Sequence, residues 1–329
     1  MKKNHFFLVF TIILLALSGW WFAGCFPSNP RQTIAIVTLM SHPSLDAVKD
    51  AALKELSVKG YSEANCRFVF RNANGQVNDA ATIANSLVAD NPAAVIAITT
   101  PMAQAIASAK LPCPVIFAAV TDPVGAKLVS SLETGKGNGL ITGTCDAWPY
   151  EEQLKLIQEI TPNVRRVGVL YNPGEAASQY GIKEIRRCAA RLGLTLVEGA
   201  VSNTNEVRAV AETIVGQVDA LFLSSDNTVI GGMTGALKVA IERKIPLYVG
   251  DSGTVAKGGL AAVSVGYSEL GKQTGALTAR MLKGERDIPV YVGRGDEMYV
   301  NLEAASRMGV EIPPAVKARA TKAFTTIVE

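Results

Sequence analysis

The feature that most constrains this chain is a regular alternation between short apolar runs, rich in β-branched residues, and longer segments with helical periodicity. From Gln32 onward, runs such as TIAIVTL and AAVIAIT are separated by amphipathic segments such as SLDAVKDAALKELSVKGY. Strands that alternate with helices predict βαβ units and parallel sheets. The series starts again at RRVGVLYN, roughly 130 residues after its first start, so two similar halves are predicted.

These patterns predict an α/β fold with two Rossmann-like lobes, for which 329 residues are sufficient. We assign residues 31–145 together with about 266–295 to lobe 1, and residues 146–265 to lobe 2. The chain is expected to cross between the lobes near Trp148-Pro149 and again near AAVSVGYSELG. Residues 296–329 form a C-terminal segment whose lobe the pattern does not decide.

The first 25 residues have the layout of an export signal. Lys2 and Lys3 precede an uncharged apolar run from Phe6 to Phe22, and Ala23-Gly24-Cys25 follows. Small residues directly before a Cys resemble the lipobox of bacterial lipoproteins, so residues 1–25 are interpreted as a lipoprotein signal peptide with Cys25 as the lipidated residue. The alternative is an uncleaved membrane anchor. Both interpretations place the remaining residues outside the cytoplasm, held at a bacterial membrane.

Charge and cysteine usage exclude several classes of function. Without Lys2 and Lys3, 30 basic residues remain against 29 acidic ones, and no basic cluster is interleaved with aromatic residues, so we expect no nucleic-acid partner. The four later cysteines have no CxxC spacing and no neighbouring His, so we predict buried single thiols and neither a metal site nor a cofactor. They are Cys66, Cys113, Cys145 and Cys188.

Short polar or aromatic residues follow six predicted strands. In open parallel sheets, ligands bind at this position, just outside the carboxyl ends of the strands. They are Ser41-His42, Thr99-Thr100, Thr121-Asp122, Tyr171-Asn172, Asp226-Asn227 and Asp251-Ser252. Such residues are also ordinary N-caps of the helices that follow. At any single position, capping explains the residue as well as ligand contact does. The set favours a site, because two lobes would direct these strand ends into one cleft.

The chemistry of this set favours a zwitterionic ligand. Helix N-termini and Thr hydroxyls suit a carboxylate, while Asp122, Asp226 and Asp251 suit an ammonium group. No Arg or Lys lies at these strand ends, which argues against a phosphate or a dicarboxylate. Tyrosines near the strand ends or crossovers either line an apolar pocket or pack at the surface and hinge. They are Tyr150, Tyr171 and Tyr267.

Several segments together resemble the tryptophan/tyrosine-type substrate-binding proteins of ABC transporters. These include AITTPMAQAIASAKLPCPVIFAAVTDPVGAKLV, EEQLKLIQEITPNVRRVGVLYNPGEAAS and SSDNTV, and the likeness extends from Gln32 to about Pro314. The resemblance implies the type I periplasmic-binding-protein fold, with two lobes joined by a three-strand hinge and a ligand cleft between them. It implies lobe closure around a small molecule, often an aromatic amino acid, and delivery to a membrane permease. Leu39-Met40 and Trp148-Pro149-Tyr150 depart from the pattern of the family.

We therefore predict a binding protein that acts as a monomer, has no catalytic residue and holds an aromatic amino acid. By position, the resemblance places Thr99, Thr100, Thr121, Asp122, Asn172, Asp226, Asn227 and Asp251 at the cleft. The full predicted site is Ser41, Thr99, Thr100, Thr121, Asp122, Tyr150, Tyr171, Asn172, Asp226, Asn227, Asp251 and Tyr267.

Three alternatives remain at this stage. An exported enzyme with a Ser–His pair would depend on His42, because His5 lies in the signal, and no GxSxG elbow is present. A transcription regulator would need a helix-turn-helix before the first strand, where the export signal lies. A binding protein that reports another small metabolite to a membrane receptor would close around its ligand in the same way.

Overall fold

The computed structural model describes residues 31–133 and 139–328, so the predicted signal and Cys25 lie outside the described residues. Its strands are β1 (Gln32–Thr38), β2 (Cys66–Asn72), β3 (Ala94–Ile98), β4 (Val115–Val120), β5 (Ile141–Cys145), β6 (Arg166–Tyr171), β7 (Thr195–Ala200), β8 (Ala220–Leu223), β9 (Leu247–Tyr248), β10 (Ala261–Ser264), β11 (Tyr291–Val292), β12 (Glu297–Asn301) and β13 (Lys322–Phe324). Its α-helices are α1 (Pro43–Val58), α2 (Val77–Asp90), α3 (Thr100–Ser108), α4 (Tyr150–Ile160), α5 (Ala176–Leu192), α6 (Val207–Ile214), α7 (Asn227–Gly231), α8 (Met233–Arg243), α9 (Ser252–Ala256), α10 (Tyr267–Leu282), α11 (Leu302–Met308) and α12 (Pro314–Arg319).

The first lobe is built on a six-stranded sheet with the order β11-β5-β4-β3-β1-β2. The pairs β1–β3, β3–β4, β4–β5 and β5–β11 are parallel. All residues of β3 and β4 are buried, which explains their unbroken apolar sequences, because helices cover both faces of a parallel sheet. The carboxyl ends of these strands therefore share one edge of the sheet.

The second lobe contains a parallel sheet with the order β7-β6-β8-β9 and a smaller sheet with the order β10-β12-β13. In the smaller sheet β10 and β12 are antiparallel, whereas β12 and β13 are parallel. The C-terminal segment belongs to this lobe, since Val300, Met308 and Val316 lie in the same apolar core as Phe222 of β8.

Helix α10 follows β10 of the second lobe but packs on α1 in the first lobe. The two helix backbones lie unusually close together. A Cβ on Gly271 would be 2.3 Å from the carbonyl oxygen of Val48, and one on Gly275 would be 2.6 Å from that of Ala52. Only glycine allows this approach, so these two residues fix the return of the chain to the first lobe.

Within the described residues the chain crosses between the lobes three times, at residues 146–149, 265–266 and 293–296. At the first crossing Trp148 packs against the second lobe, where a Cβ on Gly250 would be 1.7 Å from the indole ring. Two lobes with parallel sheets and a cleft between them confirm the predicted α/β fold of the type I periplasmic-binding-protein class.

The prediction of buried single thiols can also be compared with the structure. Cys66, Cys113, Cys145 and Cys188 are buried and unpaired, as the prediction of single thiols requires. Burial raises the pKa of the Cys113 thiol to about 11 and that of Cys145 to about 12, so both thiols stay protonated at neutral pH.

Within residues 31–133 and 139–328, none of the helices has the length and apolarity that a bilayer span requires.

Candidate functional site

A cavity of about 50 Å³ lies between the lobes, at the carboxyl ends of the central strands. Its wall in the first lobe comes from the turns that follow β1, β3 and β4. Its wall in the second lobe comes from the turns that follow β8 and β9, and the first crossover closes one side. This is the position at which open α/β sheets bind ligands.

Thr99 and Thr100 form one corner of the first-lobe wall, at the N-terminus of α3. Thr99 has φ 87° and ψ 155°, a conformation that costs a non-glycine residue about 1–3 kcal/mol. Its hydroxyl is buried in the cavity lining and has no hydrogen-bond partner. Backbone strain at a residue that lines a cavity is typical of binding sites, since the surrounding fold maintains the strain.

His42 and Ser44 form a second corner, at the N-terminus of α1. His42 caps this helix, because its Nδ1 accepts a hydrogen bond from Ser44 N at 3.4 Å. Burial lowers the pKa of His42, so the imidazole is neutral at physiological pH. Its second ring nitrogen, Nε2, is buried without a partner.

Two aspartates in the second-lobe wall cap short helices. Asp226 accepts hydrogen bonds from Val229 N at 2.8 Å and from Asn172 N at 2.5 Å. Asp251 Oδ1 accepts from Gly253 N at 2.8 Å. Burial, assisted by the neighbouring charge of Glu175, raises the pKa of Asp226 above its ordinary value. The caps therefore hold carboxylate oxygens at the cavity surface.

The first crossover adds a third carboxylate, Asp146. Its oxygens accept hydrogen bonds from Tyr267 at 2.9 Å and from Thr121 at 3.1 Å, and Tyr267 OH in turn accepts from Trp148 Nε1 at 3.1 Å. Burial raises the pKa of Asp146 to about 6, although these two hydrogen bonds act in the opposite direction. This network joins the first lobe to the hinge.

The described residues that line the cavity include three aspartates but no Lys or Arg. A cavity with this composition favours a bound cation, because its three buried carboxylates have hydrogen bonds but, among the described lining residues, no compensating positive charge. The cost of that uncompensated charge is visible in the raised pKa values of Asp146 and Asp226. An ammonium group supplies this compensation. The unpartnered donors in the first-lobe wall need an acceptor instead, so the cavity offers complementary groups for both ends of a zwitterion.

Direct hydrogen bonds join the two lobes across the cleft. Ser44 Oγ donates to Asp251 Oδ1 at 2.5 Å and accepts from Gly253 N at 3.0 Å. Thr121 Oγ1 and Ser225 Oγ are 2.8 Å apart. These contacts leave no gap between the walls at those points, so the structure represents the closed arrangement of the lobes.

A second pocket, of about 410 Å³, lies outside the central cavity in the same cleft. Met40, His42 and Ile230 line both spaces and separate them. Met40 reaches towards the second lobe, where a Cβ on Gly231 would be 3.8 Å from its terminal methyl group. A flexible thioether therefore forms part of the partition, at the position where the sequence departs from the family pattern.

The structure brings more than half of the predicted site residues into the lining of the central cavity. They are Thr99, Thr100, Thr121, Asp226, Asn227, Asp251 and Tyr267. Asn227 is held in place by Glu175, which accepts from its side chain at 2.8 Å. Asp226, Asn227 and Asp251, from the turns that follow β8 and β9, thus line the same cavity.

The other predicted residues lie outside that lining. Ser41 is exposed and accepts a hydrogen bond from Asn72 at 2.9 Å, in the wall of the outer pocket. Asp122 accepts from Gly125 N at 2.9 Å and so stabilises its own turn. The side-chain carbonyl of Asn172 accepts from Gly174 N at 2.8 Å in a similar turn. Asp122 and Asn172 thus make the local contacts that the capping interpretation predicts, although the side-chain amide of Asn172 also donates to Thr228 Oγ1 at 2.9 Å.

Tyr150 and Tyr171 are also outside the cavity lining. Tyr150 is buried at the start of α4, with its ring centroid 6.4 Å from that of Trp148 and 6.5 Å from that of Tyr180. Tyr171 packs against the core of the second lobe at the end of β6. Both rings therefore pack against the second lobe and do not line the cavity.

Sequence reasoning missed several residues of the lining. They are His42, Ser44, Asp146, Trp148 and Ser225. The sequence identifies His42 with Ser41 as a polar residue after a predicted strand, but the predicted site does not include His42, and Ser44 follows two positions later in the same turn. Asp146 and Trp148 have no local signal, because they reach the cavity only through the crossover between the lobes.

Comparisons with known proteins agree with this geometry. A family model described as ABC transporter substrate binding protein matches residues 33–324. A tyrosine-binding protein of Clostridioides difficile (strain R20291) is 34% identical over 287 residues, which cover 86% of this chain and 83% of that protein.

Two solved structures bear on the state of the cleft. The ABC domain in complex with L-Trp from Streptococcus pneumonia is 34% identical, with 89% of this chain and 100% of that chain covered and a TM-score of 0.85. A ligand-free, open structure of a substrate binding protein with adhesive properties from Clostridium difficile is 33% identical, with 86% and 96% covered and a TM-score of 0.66. Since the two are almost equally similar in sequence, the higher score for the complex agrees with a closed cleft. By its fold, its interlobe cavity and a match over most of its length, this chain belongs to the family of ABC transporter substrate-binding proteins.

Proposed function

We propose that the protein is the extracytoplasmic binding component of an ABC importer and that its ligand is an aromatic amino acid: Trp, Tyr or Phe. Proteins of this family bind small molecules outside the cytoplasm and work with a membrane permease. Support for the ligand class comes from relatives about one third identical to this chain, one named as a tyrosine-binding protein and one bound to L-Trp.

The observation that carries the proposal is the charge of the central cavity. Asp146, Asp226 and Asp251 line it together, and the described part of its lining holds no cationic residue. An amino acid supplies the missing ammonium group and also a carboxylate, which suits the donors of the first lobe. A neutral sugar would leave the aspartates without a compensating charge.

The aromatic side chain needs space beyond the central cavity. A volume of about 50 Å³ accommodates roughly four waters at about 10–15 Å³ each, which is less than an aromatic amino acid requires. Trp148 and Tyr267 offer aromatic surface on the hinge side. On the other side, small movements of Met40 and Ile230 would join the cavity to the outer pocket.

Membrane attachment and the division into lobes complete the proposal. Cys25 is the lipidated residue, after removal of a signal peptide, and the protein acts as a monomer. Residues 31–145 with about 266–295 form the first moving body, and residues 146–265 with the C-terminal segment 296–329 form the second. Incorporation of labelled palmitate into the wild type, and its loss in Cys25→Ser, tests the anchor.

Calorimetry tests the ligand. The full chain, purified in detergent and stripped of carried-over ligand by unfolding and refolding, is titrated with L-Trp, L-Tyr, L-Phe, L-Leu and a nucleoside. We expect tight binding of at least one aromatic amino acid. Binding of the nucleoside alone, or of no compound by a protein with an intact fold, would refute the assignment.

A further inference from the structure

Two buried polar atoms, in first-lobe residues that line the central cavity, have no hydrogen-bond partner. They are His42 Nε2 and Thr99 Oγ1, and both residues are more than nine-tenths buried. Buried polar groups in native proteins nearly always have a partner, because an unsatisfied one retains its full desolvation penalty. The closed cavity thus lacks a group that belongs beside these two atoms.

The contacts of His42 decide which ring nitrogen carries its proton. Nδ1 accepts a hydrogen bond from Ser44 N at 3.4 Å, so a proton on Nδ1 is excluded. The nearest carboxylate oxygen, Asp251 Oδ1, is 3.9 Å from Nδ1, which is too far for a hydrogen bond. The neutral imidazole therefore carries its proton on Nε2, and the unpartnered atom is a donor.

Thr99 adds a second donor beside the N-terminus of α3. This helix has nine residues, and no side chain caps its first N–H groups. A helix start with free N–H groups favours a negatively charged partner. The donors of α3 and His42 thus require the same kind of ligand atom, an oxygen acceptor with negative charge.

The opposite wall has the complementary polarity. Asp226 and Asp251 present acceptors from the second lobe, and Asp146 presents them from the crossover. We propose that His42 Nε2–H and Thr99 Oγ1–H bind the carboxylate of the amino acid, while its ammonium group faces these aspartates. This orientation rests on the proposed function and makes His42 a determinant of specificity for ligands with a free carboxylate.

The test compares L-Trp with tryptamine, which lacks only the carboxylate. The variant His42→Asn retains an oxygen that can cap α1 but places no donor at the position of Nε2, and His42→Gln returns a donor near that position. Thr99→Val removes the second donor without a change in shape. Thr213→Val is the matched control, because Thr213 is exposed and its hydroxyl bonds to Ala209 O within its own helix.

We expect His42→Asn and Thr99→Val to weaken L-Trp binding about 10- to 100-fold, as for the loss of a hydrogen bond to a charged group. Tryptamine affinity should change less than about threefold, since the lost donor has no partner in that ligand. His42→Gln should recover part of the L-Trp affinity, and Thr213→Val should bind both compounds as the wild type does. Unfolding curves without ligand show whether each variant is folded.

Different results overturn different statements. Equal losses for L-Trp and tryptamine would mean that His42 acts through closure or packing and not on the carboxylate. Unchanged L-Trp affinity in both variants would mean that a water satisfies these donors, which refutes the carboxylate role and leaves the proposed function intact. A folded wild type that binds no aromatic amino acid would refute the proposed function, and the carboxylate role with it.

Discussion

Gly253 offers a direct test of whether this closed arrangement is the one that binds ligand. A Cβ at this position would lie 2.7 Å from His42 Cε1, 2.7 Å from Ser44 Oγ and 2.9 Å from Ser44 N. Gly253 lies in α9 of the second lobe, whereas all three of these atoms lie in the first lobe. Comfortable contact distances are about 3.5–4.0 Å, so the closed lobes have no room for a methyl group here.

The expected loss of affinity in Gly253→Ala depends on the clash being present only when the lobes are closed. Insertion of a methyl group into a well-packed contact costs about 1–3 kcal/mol. Gly253→Ala should impose this cost on the closed state alone, because the open state separates the two lobes. Ligand affinity should then fall about 5- to 150-fold. Ala is also a better helix former than Gly by about 0.5–1 kcal/mol, so the ligand-free variant should unfold at no lower temperature than the wild type.

Calorimetry with L-Trp measures the affinity, and scanning calorimetry without ligand measures the stability. Gly216→Ala is the control, because a Cβ at Gly216 has no atom within 4 Å. Small-angle scattering in the presence of saturating ligand reports whether the variant still closes. Wild-type affinity in Gly253→Ala would show that the ligand binds to a different arrangement of the lobes.

Affinity for the amino acid should fall about tenfold between pH 7 and pH 5, because Asp146, whose pKa is raised to about 6, must be ionised to face the ammonium group. The same shift means that ligand-free stability decreases as pH rises from about 4 to 6. Asp146→Asn should weaken both effects in calorimetry and in pH-dependent unfolding, and Asp226, whose pKa is raised in the same direction, should account for the remainder. Asp251→Ala should lower both the affinity for the amino acid and, by about 1–2 kcal/mol, the free energy of unfolding, because it also removes the N-cap of α9. Asp251→Asn retains a capping oxygen and should lower the affinity alone. Gly271→Ala should lower the free energy of unfolding by about 1–3 kcal/mol, since its Cβ would lie 2.3 Å from Val48 O, and an unchanged urea midpoint would contradict the close packing of α1 on α10.

The fold could be predicted because its signals are local. Each buried parallel strand has an unbroken apolar sequence, as in AVIAI of β3, and each long helix has an amphipathic period. The short elements carry less information. Helices α7 and α9 have five residues each, and β9 has two. Their conformations depend on the caps and on packing between the lobes, neither of which a period in the sequence records.

The site was predictable only in part, for a geometric reason. Thr121 and Asp122 are neighbours, yet the hydroxyl of Thr121 faces Ser225 across the cleft while the carboxylate of Asp122 closes its own turn. The sequence identifies both as polar residues after a strand, but the direction of each side chain depends on the backbone at that turn. A bulge between Phe117 and Val120 shifts the register just before it. Asp146 lies beyond any such signal, because a crossover brings it to the cavity.

The polar groups of the closed cleft indicate how a ligand would drive closure. The lobes gain the bonds of Ser44 with Asp251 and of Thr121 with Ser225, each worth about 0.5–1.5 kcal/mol net. Closure also buries His42 Nε2 and Thr99 Oγ1 without partners, and each such group costs about 1–3 kcal/mol. On these ranges the two unpartnered groups cost about 2–6 kcal/mol against a gain of about 1–3 kcal/mol, and the desolvation of Asp146 opposes closure further. A zwitterion changes the balance, because its carboxylate satisfies the donors and its ammonium group compensates the aspartates only when both lobes surround it. The ligand would therefore select the closed state by its differential affinity for that state.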